Sequence, residues 1–196
     1  MSVRIERLTG DALAHRLGDL ARLRIEVFRD FPYLYDGGVA YEQAYLKRYL
    51  APEACLIAAF DGETVVGAAT GTPMAGEADY VTAPFRARGA DLAPIFYFGE
   101  SVLQRRYRGQ GIGVAFFDQR ERHARSFGRF RRAVFCGVLR AADHPARPAD
   151  FVPLDAFWLK RGYRPIEGAT TRFSWRDIGD KADSEKVMQY WGRSLA

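Results

Sequence analysis

At 196 residues the chain has the length of one domain, and with 48% apolar and 14% aromatic residues it can build a sizeable core without cross-links. No apolar run approaches the ~18–20 residues that cross a bilayer, and the charges within MSVRIERLTG stand where a signal peptide needs an apolar stretch, so a soluble cytoplasmic domain is expected. The net charge of +5 is uneven: Ser101–Arg140 holds ten Arg against Asp118 and Glu121, a balance of +8, and the remainder sums to −3.

In chain order, Ser2–Leu8 alternates Val3, Ile5 and Leu8 as a strand, and Asp11 caps a helix with Leu13, Leu17, Leu20 and Val27 at helical spacing. An aromatic loop, Phe31–Gly38, breaks it. A second helix spans Tyr41–Leu50, with Tyr41, Tyr45 and Tyr49 in a ladder that reads as packing. Cys55–Phe60 and Thr64–Gly71 are strands joined by the turn Asp61-Gly62-Glu63. Thr72–Ala93, rich in Ala, Gly and Pro, reads as a long irregular connection, and Pro94–Leu103 as the strongest strand. Gly111–Phe127 is a helix closed by Gly128, with Ile112, Phe116, Ala124 and Phe127 on one side. Ala133–Leu139 is a buried strand, Ala141–Val152 a loop carrying His144, and Leu154–Arg161 a short helix stopped by Gly162. Tyr163–Ile166 and Thr171–Trp175 read as a closing pair of strands. Residues 1–178 then form one domain of α/β or α+β layer type, and 179–196 a charged turn and amphipathic extension packing on it.

Cys55 and Cys136 lie far apart in apolar runs and read as buried thiols, and no His, Cys and Asp spacing suggests a metal site. His15 and His123, among Arg residues on helix faces, read as solvated. The Arg block attracts polyanions, whether nucleic acid, a membrane surface or a phosphorylated small molecule, a solvated helix face being the plain alternative. Arg is suited to phosphate because its planar fork donates two hydrogen bonds at once.

Within that block, Arg105-Arg106-Tyr107-Arg108-Gly109-Gln110-Gly111-Ile112-Gly113 links the strand to the helix. Glycines allow close approach of a ligand to the backbone, and a helix start offers unpaired N–H groups and a positive dipole end. The glycines at 109, 111 and 113 do not fit a dinucleotide G-x-G-x-x-G, and a Walker loop would need Lys. A tight turn alone would also use glycines here.

Arg108-Gly109-Gln110-Gly111-Ile112-Gly113 resembles the R/Q-x-x-G-x-G/A signature of the GCN5-related N-acetyltransferases, and Phe157-Trp158-Leu159-Lys160-Arg161-Gly162-Tyr163 resembles that family's A-x-x-F-Y-x-K-x-G-F/Y ending. The likeness runs from about Cys55 to Trp175. It implies a mixed, mostly antiparallel sheet with helices on both faces, and a long strand that bulges and splays to open a cofactor cleft. It also implies acetyl-CoA as co-substrate: pantetheine along the strand end at Leu103 and Arg105, pyrophosphate on the amides from Arg108 to Gly113, and Trp158 at the cofactor. The Arg block then serves this small polyanion, and no metal is required.

Acetylation needs a neutral amine, whose ordinary pKa of ~10 leaves it charged at pH 7, so a carboxylate must help remove the proton. Glu100, mid-strand in an apolar run, is the candidate base, with burial expected to raise its pKa. Pointing to solvent or pairing with a structural Arg is its alternative. Family members place a Tyr as general acid where this chain has Trp158, and indole cannot serve; Tyr97, Tyr163 or Cys136 could, and Tyr97 is taken as the second catalytic candidate. Tyr33 and Tyr35, where the resemblance places the acceptor loop, and His144 near the cleft mouth are candidate substrate contacts. The reading is an N-acetyltransferase for a primary amine of a small molecule or peptide, the −3 remainder favouring a cationic acceptor. The alternative is an acyl-CoA-binding sensor of the same fold. A nucleic-acid module lacks any helix–turn–helix, RRM or zinc pattern. The resemblance also allows a homodimer.

Overall fold

The computed structural model of the protein describes residues 3–195. Seven strands form one sheet: β1 (Arg4–Leu8), β2 (Cys55–Asp61), β3 (Thr64–Pro73), β4 (Ile95–Leu103), β5 (Arg132–Val138), β6 (Arg164–Trp175) and β7 (Ser184–Ser194). Their spatial order is β1-β2-β3-β4-β5-β7-β6, with β4 and β5 parallel and every other pair antiparallel. The expected mixed, mostly antiparallel sheet is therefore present. The helices are α1 (Gly10–Ala14), α2 (Leu17–Phe28), α3 (Val39–Tyr45), α4 (Asp79–Arg86), α5 (Ile112–Ser126) and α6 (Asp155–Lys160). Both faces of β2–β4 are covered, which is why those strands read as continuous apolar runs. One core joins α5 to Ile57, Phe96 and Phe98, another joins α1 and α2 to Leu56, Val65 and Val102, and a third joins α4 to Ile95, Tyr97 and Tyr190.

Five expectations are corrected. The first predicted helix is two, parted at His15-Arg16, and the second ends at Tyr45 in a 3-10 turn over Leu46–Leu50. The connection after β3 contains α4, which carries Pro84. Pro84 has no N–H to give the carbonyl four residues back. That carbonyl, of Tyr80, accepts the Thr171 hydroxyl instead, a long-range compensation that the local sequence does not reveal. The supposed closing pair of strands is one strand, β6, bulged between Pro165 and Thr170 around Gly168 at φ +63°. Its partner is β7, which lies between β5 and β6, so residues beyond 178 complete the sheet and do not extend it. The predicted first strand begins at Ser2, outside the described residues; its observed part starts at Arg4. Among the described residues, no helix is long and apolar enough to cross a membrane.

Candidate active site

The two parallel strands stay together for three residues. β4 meets β5 at Ile95↔Arg132, Phe96↔Ala133 and Tyr97↔Val134, and the pairing then stops. β5 continues to Val138 on β7, whereas Phe98–Leu103 has no strand partner on that side among the described residues. The result is a V-shaped gap with Tyr97 at its vertex. Just past the vertex, pairing with β3 jumps from Gly71↔Phe98 to Ala69↔Ser101, so Gly99 and Glu100 together face Thr70 alone. This two-against-one bulge bends β4 and re-aims Glu100. Gly99 is required there, because a Cβ would lie 2.1 Å from the Tyr49 hydroxyl and 2.6 Å from Thr70 Oγ1.

Beyond the free end of β4, Arg105–Tyr107 makes one 3-10 turn and Gly109 and Gly111 adopt φ +78° and +79°. These left-handed conformations favour glycine, and no atom lies within 4 Å of a Cβ built at either position, so the backbone is open to an approaching group. The first amide of α5 to find a partner is that of Ala115, on Gly111 O at 3.0 Å. The N–H groups of Ile112, Gly113 and Val114 have none among the described residues. Gly113 faces Phe157 of α6, where a Cβ would sit 3.5 Å from the ring. Gln110 folds back on Arg106 O at 3.1 Å, and Arg108 Nε reaches Leu103 O at 3.4 Å.

The Arg block does not form one cofactor face. Arg105, Arg106 and Arg108 flank the glycine loop, and Arg105 also meets Asp150 at 3.4 Å. Arg129 pairs with Glu53, Arg125 holds Leu195 O at 2.9 Å, and Arg140 binds Asp177. Arg120 lies under the sheet, 1% exposed. His123, expected to be solvated, is also buried; its Nε2 is 2.8 Å from Glu53 O, and burial lowers its pKa.

Glu100 is buried and its carboxylate is fully engaged. Arg24 Nη1 and the Tyr45 hydroxyl (2.8 Å) donate to Oε1, and Thr70 Oγ1 donates to Oε2 at 2.7 Å. Thr70 Oγ1 in turn accepts from Glu100 N at 2.9 Å. Burial works to raise the Glu100 pKa, but the Arg24 charge and the surrounding hydroxyls outweigh it, and the carboxyl is held below its ordinary range. The direction is opposite to the one expected from burial alone, because Glu100 is paired with Arg24. Arg24 Nε also donates to Glu42, which accepts the Tyr35 hydroxyl at 2.8 Å. Tyr45 lies between two guanidinium groups, 4.4 Å from Arg24 and 4.1 Å from Arg48. Arg48 pairs with Glu77 at 2.8 Å. The tyrosine ladder therefore belongs to a polar network as well as to packing.

On the same face, the Tyr97 hydroxyl lies 3.3 Å from Cys136 Sγ, and burial raises both groups, Cys136 to about 12. Tyr163 is not beside them: it donates to Glu121 at 3.0 Å under α5. Tyr33 stacks on Phe28 at 4.4 Å, while its carbonyl accepts Arg140 Nη2 and Trp175 Nε1, each at 2.9 Å. Tyr35 turns inward to Glu42. His144 is half-buried, its ring 5.6 Å from Phe31 and its Nδ1 accepting from Ala146 N at 3.1 Å. Arg140 thus fastens the aromatic loop at Pro32 and Tyr33 to the segment after β5. Trp158 packs over β5, where a Cβ on Gly137 would come within 2.8 Å, and its ring is 5.0 Å from both Phe135 and Trp191. The structure links Tyr35 to Glu100 through Glu42 and Arg24, puts Tyr97 in the last β4–β5 pair, the glycine loop beyond the free end of β4, and Trp158 against β5.

Sequence reasoning missed Arg24, Glu42 and Arg120. For the two arginines the signal was present: Arg24 is four residues from Leu20 and three from Val27, and Arg120 is four from both Phe116 and Ala124. Each charge interrupts an apolar helical stripe.

The fold agrees with that of known proteins. The model of the acetyltransferase (GNAT) family matches residues 20–149, and the chain belongs to that family. No curated protein matches it by sequence. Among solved structures, it is similar to a ribosomal-protein-alanine N-acetyltransferase from Brucella melitensis (13% identity, 97% and 99% of the two chains covered, TM-score 0.62). It is also similar to an N-acetyltransferase from Staphylococcus aureus Mu50 (13%, 100% of both chains, 0.62). An aminoglycoside 6'-N-acetyltransferase complexed with coenzyme A matches as well (14%, 98% and 97%, 0.60).

Proposed function

We propose that the protein is an acetyl-CoA-dependent N-acetyltransferase that acetylates a primary amine of a small molecule or peptide. The observation that carries this reading is the parting of β4 from β5 after Tyr97, with an open, glycine-rich run of amides beyond the free end of β4. The family supports it, as does the coenzyme A complex among the similar structures. The residues present fit the co-substrate. The unpaired amides of Ile112–Val114 suit pyrophosphate oxygens, with Arg105 and Arg108 beside them, and the unpaired edge near Leu103 suits an amide-bearing chain. Bound there, the thioester supplies the activated acetyl group.

In this reading Tyr33, Tyr35 and His144 border the acceptor, and Glu100 receives its proton through Tyr45. The Tyr45–Glu100 hydrogen bond of 2.8 Å already spans that step. Arg24 keeps Glu100 ionised but also makes it a weak base, so activity rises toward alkaline pH as the amine itself loses its proton. Tyr97 keeps its proton, since burial raises it, and donates toward the departing sulfur at the vertex. A thiol of pKa ~8.5 leaves as thiolate without full proton transfer. Trp158 closes the β5 wall against water.

One observation favours the second reading, an acyl-CoA-binding sensor: both oxygens of Glu100 are already occupied. Calorimetric titration with acetyl-CoA, using dephospho-CoA for comparison, followed by an amine screen, separates the two. Micromolar binding with acetylation of an amine, weakened in Glu100→Gln, supports the enzyme. Binding without turnover supports the sensor, and no binding at millimolar acetyl-CoA refutes both.

A further inference from the structure

Arg120 stands in the middle of the apolar stripe of α5, and its guanidinium points into the sheet. It lies 4.2 Å from the Phe98 ring and 5.0 Å from that of Phe117. No carboxylate among the described residues comes within ion-pairing distance of it, and its Nη2 has no hydrogen-bond partner. Burial of a lone charge is costly, and here it lowers the Arg120 pKa to about 10. A Leu or Met would fill the same space without that cost.

The donors that do find partners show what the charge is used for. Nε bonds Phe116 O in the same helix at 3.2 Å, which fixes the side chain. Nη1 bonds Thr70 O at 3.2 Å and Glu100 O at 3.3 Å. These carbonyls belong to the residues that face each other across the β4 bulge, on either side of the register jump. One cation therefore sutures the two strands where their regular ladder is broken. On the opposite face, the Thr70 side chain holds both the Glu100 N–H and its carboxylate.

We infer that Arg120 is a positioning residue for acetyl transfer, holding the β4 bulge from beneath so that the strand turns away from β5 and presents Glu100 to Arg24 and Tyr45. The inference rests on the acetyltransferase reading, because the gap it maintains is the proposed cofactor cleft. It adds a device that makes the gap. The bulge lies immediately after the last β4–β5 pair, Tyr97↔Val134. If it relaxes to regular pairing, Glu100 shifts by one residue to the other face of the strand, as any one-residue slip requires.

The test compares wild type, Arg120→Met and Arg120→Lys. Calorimetric titration with acetyl-CoA gives affinity, thermal melting gives stability, and amide exchange of Gly99–Ser101 by NMR reads the bulge. Expected are acetyl-CoA binding weakened about ten-fold in Arg120→Met, equivalent to ~1.4 kcal/mol, and faster exchange confined to Gly99–Ser101. Arg120→Lys keeps the charge but loses the fork, and is expected to weaken binding about three-fold. Wild-type affinity and wild-type exchange in Arg120→Met would show the arginine to be packing only. If Arg120→Met does not fold, Arg120→Lys decides alone: unchanged affinity and exchange overturn the proposal. A wild type that does not bind acetyl-CoA refutes the acetyltransferase reading, whereas the exchange data test the suture independently of it.

Discussion

Arg24→Met removes the cation shared by Glu42 and Glu100. Methionine keeps much of the side-chain length, so packing against Phe28 and Tyr45 changes less than the charge does. Both carboxylates are nearly inaccessible to water, at 0% and 4% exposure, and they are left with Tyr35, Tyr45 and Thr70 as donors. Breaking a buried ion pair from one side costs ~3–5 kcal/mol. That is a large share of the ~5–15 kcal/mol that holds a domain together. The pH dependence should also reverse. In the wild type Glu100 is held below its ordinary range, so its contribution is complete above the unfolded value of ~4.3 and is lost as pH falls through the folded one. Without Arg24 the effect of burial prevails and the folded value rises above the unfolded one. Stability then declines as pH rises from about 4 toward neutrality. Urea unfolding at several pH values between 4 and 8 measures this directly. Arg24→Met should be most stable at the acid end, and adding Glu100→Gln should recover part of the loss at pH 7. A cost below about 1 kcal/mol at pH 7, or a pH dependence parallel to wild type, would refute the argument.

Four further outcomes follow from single sites. Gly111→Ala places a side chain at φ +79°, with an expected cost of ~1–2 kcal/mol and a loss of acetyl-CoA affinity. Gly113→Ala meets Phe157 at an ordinary 3.5 Å and should fold as wild type; equal melting temperatures for the two variants would contradict the strain argument. Tyr97→Phe should lower kcat by about ten-fold or more with little change in KM for acetyl-CoA; a change confined to KM would remove Tyr97 from the chemistry. His123 has its pKa lowered by burial, so its contribution to stability is complete above ~6.5 and declines as pH falls toward the folded value. His123→Gln should flatten the stability profile between pH 6.5 and 5, and an unchanged profile would rule out this origin for the acid sensitivity.

Much of the site could be read from local pattern. The glycines at 109 and 111 and the strand before them are defined within a dozen residues, because left-handed backbone and a helix start are local demands. Glu100 was conspicuous as an acid in an apolar run. Its protonation was not, since the sign depends on Arg24, 76 residues away in sequence. The tyrosine ladder had the spacing of a packed helix face, and nothing in that spacing tells that Tyr45 meets Glu100. α4 was hidden because Pro84 argues against a helix, and the compensating hydroxyl comes from Thr171 on β6.

The sequence by itself determined the family signature, the strand–loop–helix that carries it and most strand positions, all of them set by short-range geometry and side-chain period. Tertiary structure decided the place of β7 between β5 and β6, the three-residue length of the β4–β5 contact, and the direction in which the Glu100 pKa moves. These depend on which distant groups are brought together. A polar residue in an apolar stripe announces that a partner exists, but only the folded chain supplies that partner.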